Sequence, residues 1–557
     1  MMTLMRMGCF TAVMVAIAGG GGCRYRTLAH RILRHCVHLR SMPRDPSEVS
    51  PAREGIAMTD TTGDAVMART ASGAMWTVGF RLLTRLLGLI STLVLVRLLG
   101  PGDFGLVALG TGFAQMVDVI SNFAVHEAIV REPAPTRALY NTAFTMSLLR
   151  GMLTAGVVAC GSPYVAMFLH EPRLANVLLA LAASTLIASV ENIATADFMR
   201  KMQFRQEFQL WTLPRILGVV STIGVALIWP SYWALVCGII VSRVARTVQS
   251  YAMYPYMPAL TLSAWRRIVG FTTWSWAIYM VAVLRDKADT VLVGRFFSSA
   301  SVGIFSLGHE IAALPISDVI EPVSRVCFPS FVNLRDAGLG VGQAWLRLLA
   351  ASGLLVLPAG MGIALIADPL VKLAFGPGWA EAIPMIEILA ISSSAAVVGS
   401  LTATLFSAMG MLHASFAIVT AATLARVTVM LIFLPAGSLV TAASLSAGLM
   451  VSEQIAYSVI AMRRFHVPLT ALIAAVWRSF AGTLAMAGVL TWAGLGFTPV
   501  ADSYMAHMLI TALAGSAVYA ATLWLTWMAS GRPDGPERDM LTLLTSLRRR
   551  LVKFLPA

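Results

Sequence analysis

Runs of about twenty apolar residues recur along this chain from near residue 76 to near residue 529, and they constrain the fold more than any motif does. A helix rises 1.5 Å per residue, so about 20 residues cross the ~30 Å hydrocarbon core of a bilayer. Inside lipid every backbone N–H and C=O must be paired within the protein, which leaves helices or closed barrels. Strands cross in about 9–11 residues, so runs of this length point to helices. Only 12% of the 557 residues are charged, about half the share in soluble domains. The expected fold class is therefore an all-α integral membrane protein.

Read with that ruler, the chain holds about fourteen transmembrane helices. The first seven candidates lie near 76–99, 104–123, 138–160, 174–196, 211–229, 231–250 and 271–296. The rest lie near 300–330, 344–366, 383–408, 412–434, 436–460, 470–494 and 503–529. Connections such as "GPGD" at 100–103 and "PAGS" at 435–438 are short turn sequences, and no gap could hold a soluble domain.

Basic residues alternate between the two sets of loops. One side receives Arg131 and Arg137, then Arg200, Lys201 and Arg205, then Arg266 and Arg267, and later Arg463 and Arg464. The other side holds little beyond Arg173 and Lys372. Positive loops stay in the cytoplasm, which puts both termini there, as an even span count requires. The net charge of +14 then belongs to cytoplasmic loops and anionic lipid rather than to nucleic acid.

Both ends differ from the middle. Residues 1–70 are expected to be disordered or to include sequence before a later start at Met58, the alternative being a signal or lipid-attachment sequence ending at Cys23. Residues 531–557 read as a basic amphipathic tail, with Leu541, Leu544, Leu547 and Leu551 on one face and Arg548, Arg549, Arg550 and Lys553 around it. Such a helix suits an anionic membrane surface.

Sliding the chain by 198 residues superimposes its halves. Trp76 falls on Trp274, Thr92 on Thr290, Arg97 on Arg295, Gly105 on Gly303 and Leu109 on Leu307, so that "VRLLGPGDFGLVALG" meets "GRFFSSASVGIFSLG". Six spans precede the second copy, so both copies enter the membrane in the same direction. The expected organisation is two parallel six-helix bundles, 71–260 and 261–466, followed by two C-terminal helices in 467–530. Parallel repeats of this kind place substrate sites between the halves.

The seventh span carries Arg285, Asp286, Lys287 and Asp289 within "YMVAVLRDKADTVLVG". Each central charge costs roughly 2.5–3.5 kcal/mol on the insertion scale, about 10–14 kcal/mol for four, more than one helix's apolar residues offset. These charges must pair or line a wet cavity. Arg285 and Asp289 are one turn apart and could pair within the helix. The first span adds Arg81 and Arg85 on one face, the second Asp118 and Glu127, and the eighth His309, Glu310, Asp318, Glu321 and Arg325, interrupted by Pro315 and Pro322. Glu191, Asp197, Arg426 and Glu453 read as scattered singles. Charge is thus concentrated in the first two spans of each repeat, as expected of a substrate or ion path.

Enzyme and cofactor signatures are missing from the sequence. "GLGVG" at 338–342 follows no strand, "GHE" at 308–310 has no metal-ligand spacing, and no phosphate-binding P-loop occurs. The six cysteines form no CxxC pair, so neither a disulfide framework nor a metal site is expected. Catalytic residues, metals and cofactors are expected to be none, and the chain is not expected to be an enzyme.

"RLLGPGDFGLVAL" at 97–109 and "DKADTVLVGRFF" with "SVGIFSLGHE" at 286–310 resemble the polysaccharide-export flippases of the multidrug/oligosaccharidyl-lipid/polysaccharide exporter superfamily. The resemblance runs from about residue 70 to about 490. It implies a V-shaped pair of six-helix bundles around a central cavity, in the bacterial inner membrane. The task it implies is moving an undecaprenyl-diphosphate-linked oligosaccharide between leaflets by alternating access, for exopolysaccharide, capsule or O-antigen synthesis. A polysaccharide polymerase is then the implied partner. Arg81, Arg85, Arg285 and Lys287 are the candidates to bind the cargo. Asp118, Asp286, Asp289 and Glu310 are the candidates to couple transport to a proton or sodium gradient. The alternatives are a cation-coupled multidrug exporter, which calls for an acidic cavity, and a membrane glycan polymerase or ligase, which calls for a long external loop.

Overall fold

The computed structural model describes residues 83–497 and 503–538, apart from 86, 89, 121–128, 131, 133, 202, 266–272, 533 and 534. Arg81, Glu127, residues 1–70 and the tail beyond 538 lie outside the described residues. The described regular structure is helical. A helix described over 90–98 (α1) leads into α2 (Pro101–Ile120), α3 (Arg137–Phe168), α4 (Arg173–Ser189), α5 (Phe204–Ile228) and α6 (Trp233–Met253). The second half holds α7 (Thr273–Phe296), α8 (Ser299–Ala312), α9 (Glu321–Asp336), α10 (Val341–Leu365), α11 (Ala382–Ala408), α12 (Leu412–Phe433) and α13 (Leu439–Phe465). α14 (Leu469–Trp492) and α15 (Tyr504–Ala529) follow.

Nine of the described helices are long and apolar enough to cross a membrane, or ten if α4 and Ile193–Arg200, bent by 64°, form one broken span. The chain is a multi-pass membrane protein. Fourteen crossings is a count that rests on the sequence pattern alone. Helix starts are set by side chains: the hydroxyls of Thr136, Ser298 and Ser438 accept from the N–H groups of Leu139, Ser301 and Thr441, worth about 1 kcal/mol each. α11 closes at Gly410, whose φ of +72° lets its N–H reach Ser407 O while Met411 N–H reaches Phe406 O. Only glycine takes that left-handed position without strain. The eighth span breaks where its prolines require, with a π-turn at Ile316–Ile320 after Pro315 and α9 starting beside Pro322.

Within the first half α3 packs on α4, α5 on α6 and α2 on α4. Within the second, α7 packs on α12 and α11 on α10 and α13, while α14 packs on α10 and α15. The main packing across the halves among these helices runs through α2, which lies against both α7 and α8. Here the 198-residue repeat becomes geometry. A Cβ on Gly105 would stand 1.7 Å from Ser299 O and 2.7 Å from Gly303 N, and a Cβ on Gly303 would stand 2.0 Å from Pro101 O. Pro101 and Ser299 are themselves 198 apart, so each glycine meets the partner of its own neighbour, as a two-fold relation demands. Small residues at such a crossing let two backbones touch in lipid.

More contacts across the halves gather at the same end. Arg295 Nη1 lies 3.3 Å from His170 Nδ1, Trp379 Nε1 donates to Val96 O at 3.1 Å, and the Arg97 guanidinium donates to the carbonyls of Ala374 and Leu373. The Arg173 guanidinium, bonded to Glu171 at 2.8 Å, holds that carboxyl below its ordinary value against the effect of burial, and the Ser299 hydroxyl lowers it further. This end carries the loops with Arg173 and Lys372, the poorly basic side of the sequence.

Candidate functional site

Below the glycine crossing the halves enclose a cavity of about 520 Å³. Ala108 and Thr111 of α2 form one wall, and α7, α8, α11, α12 and α13 form the other. Its depth follows from helix rise. Thr111 is ten residues beyond Pro101, His309 ten beyond Ser299, and Arg285 eleven before Phe296, so each lies ~15 Å from the closed end, half a bilayer deep. Eight of the sixteen lining residues are ionisable. At that depth such groups persist only when paired or wet.

The charges on α7 divide by face. Arg285 Nε donates to the neighbouring Asp286 at 2.9 Å, and Arg285 Nη1 donates to Glu453 of α13. One turn on, Asp289 Oδ2 accepts from Arg426 Nη1 of α12 and from Ser446 Oγ of α13, both at 2.5 Å. Asp289 and Arg426 are almost fully buried. Lys287 enters no ion pair with the described residues and lays its stem against α2, its Cδ 3.9 Å from where a Gly112 Cβ would be. It therefore sits at the line where the halves meet. Glu310 and half-exposed Asp286 complete the wetter part of the lining.

The predicted residues separate accordingly. Arg285, Lys287, Asp286, Asp289 and Glu310 come together in this cavity. Asp118 does not: it pairs with Arg150 of α3 at 2.9 Å. Arg85 is exposed on the first helix and outside the lining. The expected pairing of Arg285 with Asp289 is replaced, because both have acid or base partners on α12 and α13 that lie nearer than a turn of the same helix. Arg426 and Glu453 are thus no scattered singles. Glu191 and Asp197 are paired too, with Arg246 at 2.9 Å and with Arg200 and Lys201. The described lining sets the bases Arg285, Lys287 and Arg426 against the acids Asp286, Asp289, Glu310 and Glu453.

Residues 94–384, a little over half of the chain, match the family described as polysaccharide biosynthesis protein. The lipopolysaccharide biosynthesis protein WzxC of Escherichia coli is 22% identical over 62% of this chain and 72% of its own length. The succinoglycan biosynthesis transport protein ExoT of Rhizobium meliloti is 24% identical over 60% of this chain and 68% of its own. The probable flippase AglR of Haloferax volcanii is 22% identical over 56% and 66%. In fold the chain is similar to the lipid II flippase MurJ in an inward closed conformation, with a TM-score of 0.67 at 13% identity, covering 82% of this chain and all of that one. It is also similar to an inward-facing multidrug-resistance MATE transporter, with a TM-score of 0.57 at 13% identity, over 70% of this chain and 95% of that one. With more than half of its length matched by the family model, the chain belongs to the polysaccharide biosynthesis protein family of multi-pass membrane proteins.

Proposed function

We propose that this protein is a flippase that carries a lipid-linked oligosaccharide from the cytoplasmic to the outer leaflet of the cytoplasmic membrane. The observation that carries this reading is the mid-depth cavity between the repeats, half of whose lining is ionisable. The phosphate-bearing head of the cargo occupies that chamber and its polyprenyl tail stays in lipid. Lys287 is the anchor for the anion, being in no ion pair with the described residues, and Arg285 is its second contact. Arg81 and Arg85 are further contacts for the cargo in this reading. The two six-helix units, 71–260 and 261–466, rock about the glycine crossing to open the chamber to either side. The basic loops support cytoplasmic termini, and in this reading the closed end faces outward. A proton or cation gradient contributes the drive, and a polysaccharide polymerase takes up the flipped unit. The names of the relatives support the cargo class, and family membership supports the pathway. In this reading the chain transports and does not catalyse.

Deletion of the gene, followed by quantification of lipid-linked glycan in the membrane, tests this. Accumulation with loss of polymer supports it; unchanged lipid-linked glycan defeats it. A second reading, export of cationic drugs, draws on one observation, the four carboxylates against three bases in the described lining. Drug sensitivity of the same strain without glycan accumulation would favour that.

A further inference from the structure

We propose that Glu453 is a built-in competitor for the Arg285 guanidinium, and that an anionic head group displaces it while one proton binds to Glu453. This rests on the flippase reading above. Arg285 bridges two carboxylates that differ in their access to water. Asp286 has 56% of its side chain exposed, whereas Glu453 has 5%. A phosphate that takes the guanidinium leaves Asp286 to be solvated by the chamber. It leaves Glu453 charged and buried without its partner, a state that proteins avoid by protonation. The proton comes from cavity water and attaches to a carboxylate oxygen; no covalent bond breaks. Neutral Glu453 no longer holds Arg285, which stays free for the phosphate.

The other charges around Glu453 do not take over its role. On α7, Lys287 lies against α2 and Asp289 is held by Arg426 of α12. On α8, His309 and Glu310 share the cavity, and on α13 Tyr457 lies one turn beyond. His309 is the one other group that titrates near neutrality by its ordinary chemistry, so the test must separate it.

Full-length protein in detergent is titrated calorimetrically with farnesyl diphosphate in buffers of differing ionisation enthalpy. The wild type is expected to take up about one proton per ligand, and its affinity to fall as pH rises, by up to about tenfold per pH unit. Glu453→Gln keeps the shape but cannot take the proton. It is expected to bind more tightly than the wild type, by a ratio that grows as pH rises, with no pH slope beyond that of the ligand. His309→Gln is expected to retain the uptake. Wild-type binding without proton uptake overturns the proposal whatever the variants do, and so does uptake retained in Glu453→Gln or abolished in His309→Gln. If the wild type binds no diphosphate at any pH, this assignment falls, while the export reading still stands or falls by glycan accumulation in the deletion strain.

Discussion

Replacing Arg426 by methionine isolates the electrostatics that let α7 exist in a membrane. Asp289 is 3% exposed, and its Oδ2 accepts from both Arg426 and Ser446 at 2.5 Å. Its Oδ1 has no hydrogen-bond partner among the described residues. Without Arg426 a buried carboxylate keeps only one hydroxyl. Breaking such a pair from one side costs about 3–5 kcal/mol, a large fraction of the roughly 5–15 kcal/mol that holds a typical domain folded. Neutralising both partners, as Asp289→Asn with Arg426→Met, removes the charge along with its counter-charge and should cost only about 1–2 kcal/mol. The two changes should therefore be strongly non-additive, the double costing less than either single and several kcal/mol less than their sum. Unfolding titrations in mixed micelles on the wild type, both singles and the double supply the cycle. If Arg426→Met costs under about 1 kcal/mol, as an exposed pair would, or the double equals the sum of the singles, the buried-pair reasoning is wrong.

Three further outcomes follow from the same geometry. Gly105→Ala puts a methyl 1.7 Å from Ser299 O, so α2 and α8 must separate by about 2 Å to restore contact distance; polymer output should fall, and full output would argue against a tight seal there. Asp118→Asn removes a partly exposed ion pair with Arg150 outside the cavity lining, so stability should change by about 1 kcal/mol or less and export should persist. The lowered Glu171 carboxyl adds stability that is complete above its unfolded value near about 4.3 and is lost as pH falls through the lower folded value. Melting of wild type and Glu171→Gln should differ at neutral pH and converge in strong acid, and a constant difference would contradict this.

The span positions and the repeat were legible because membrane helices announce themselves by length and because glycine at a backbone crossing leaves little choice of residue. The offset that aligned Gly105 with Gly303 already named the crossing point. The charged stretch on α7 also named four residues that line the cavity, Arg285, Asp286, Lys287 and Asp289. Arg426 and Glu453 were not legible, since each stands alone in an apolar helix more than 130 residues from its partner. Their signal was stoichiometric: four charges on α7 cannot all be satisfied within one helix, and lone ionisable residues in other spans are where counter-charges must come from. Asp118 shows the same point from the other side, since its partner Arg150 lies within the next apolar span, near 138–160. The balance of charge in the cavity could not be counted before the pairs were known.

The most direct test is leaflet-resolved flipping in liposomes holding the purified full-length chain and a fluorescent polyprenyl-diphosphate disaccharide, with dithionite quenching as the readout. Wild-type protein should move the lipid faster than empty vesicles, and Lys287→Ala should slow it by about ten- to a hundredfold, the worth of one charge-assisted contact of roughly 1.5–3 kcal/mol. Equal rates for Lys287→Ala and wild type would mean that the chamber between the repeats does not hold the phosphate.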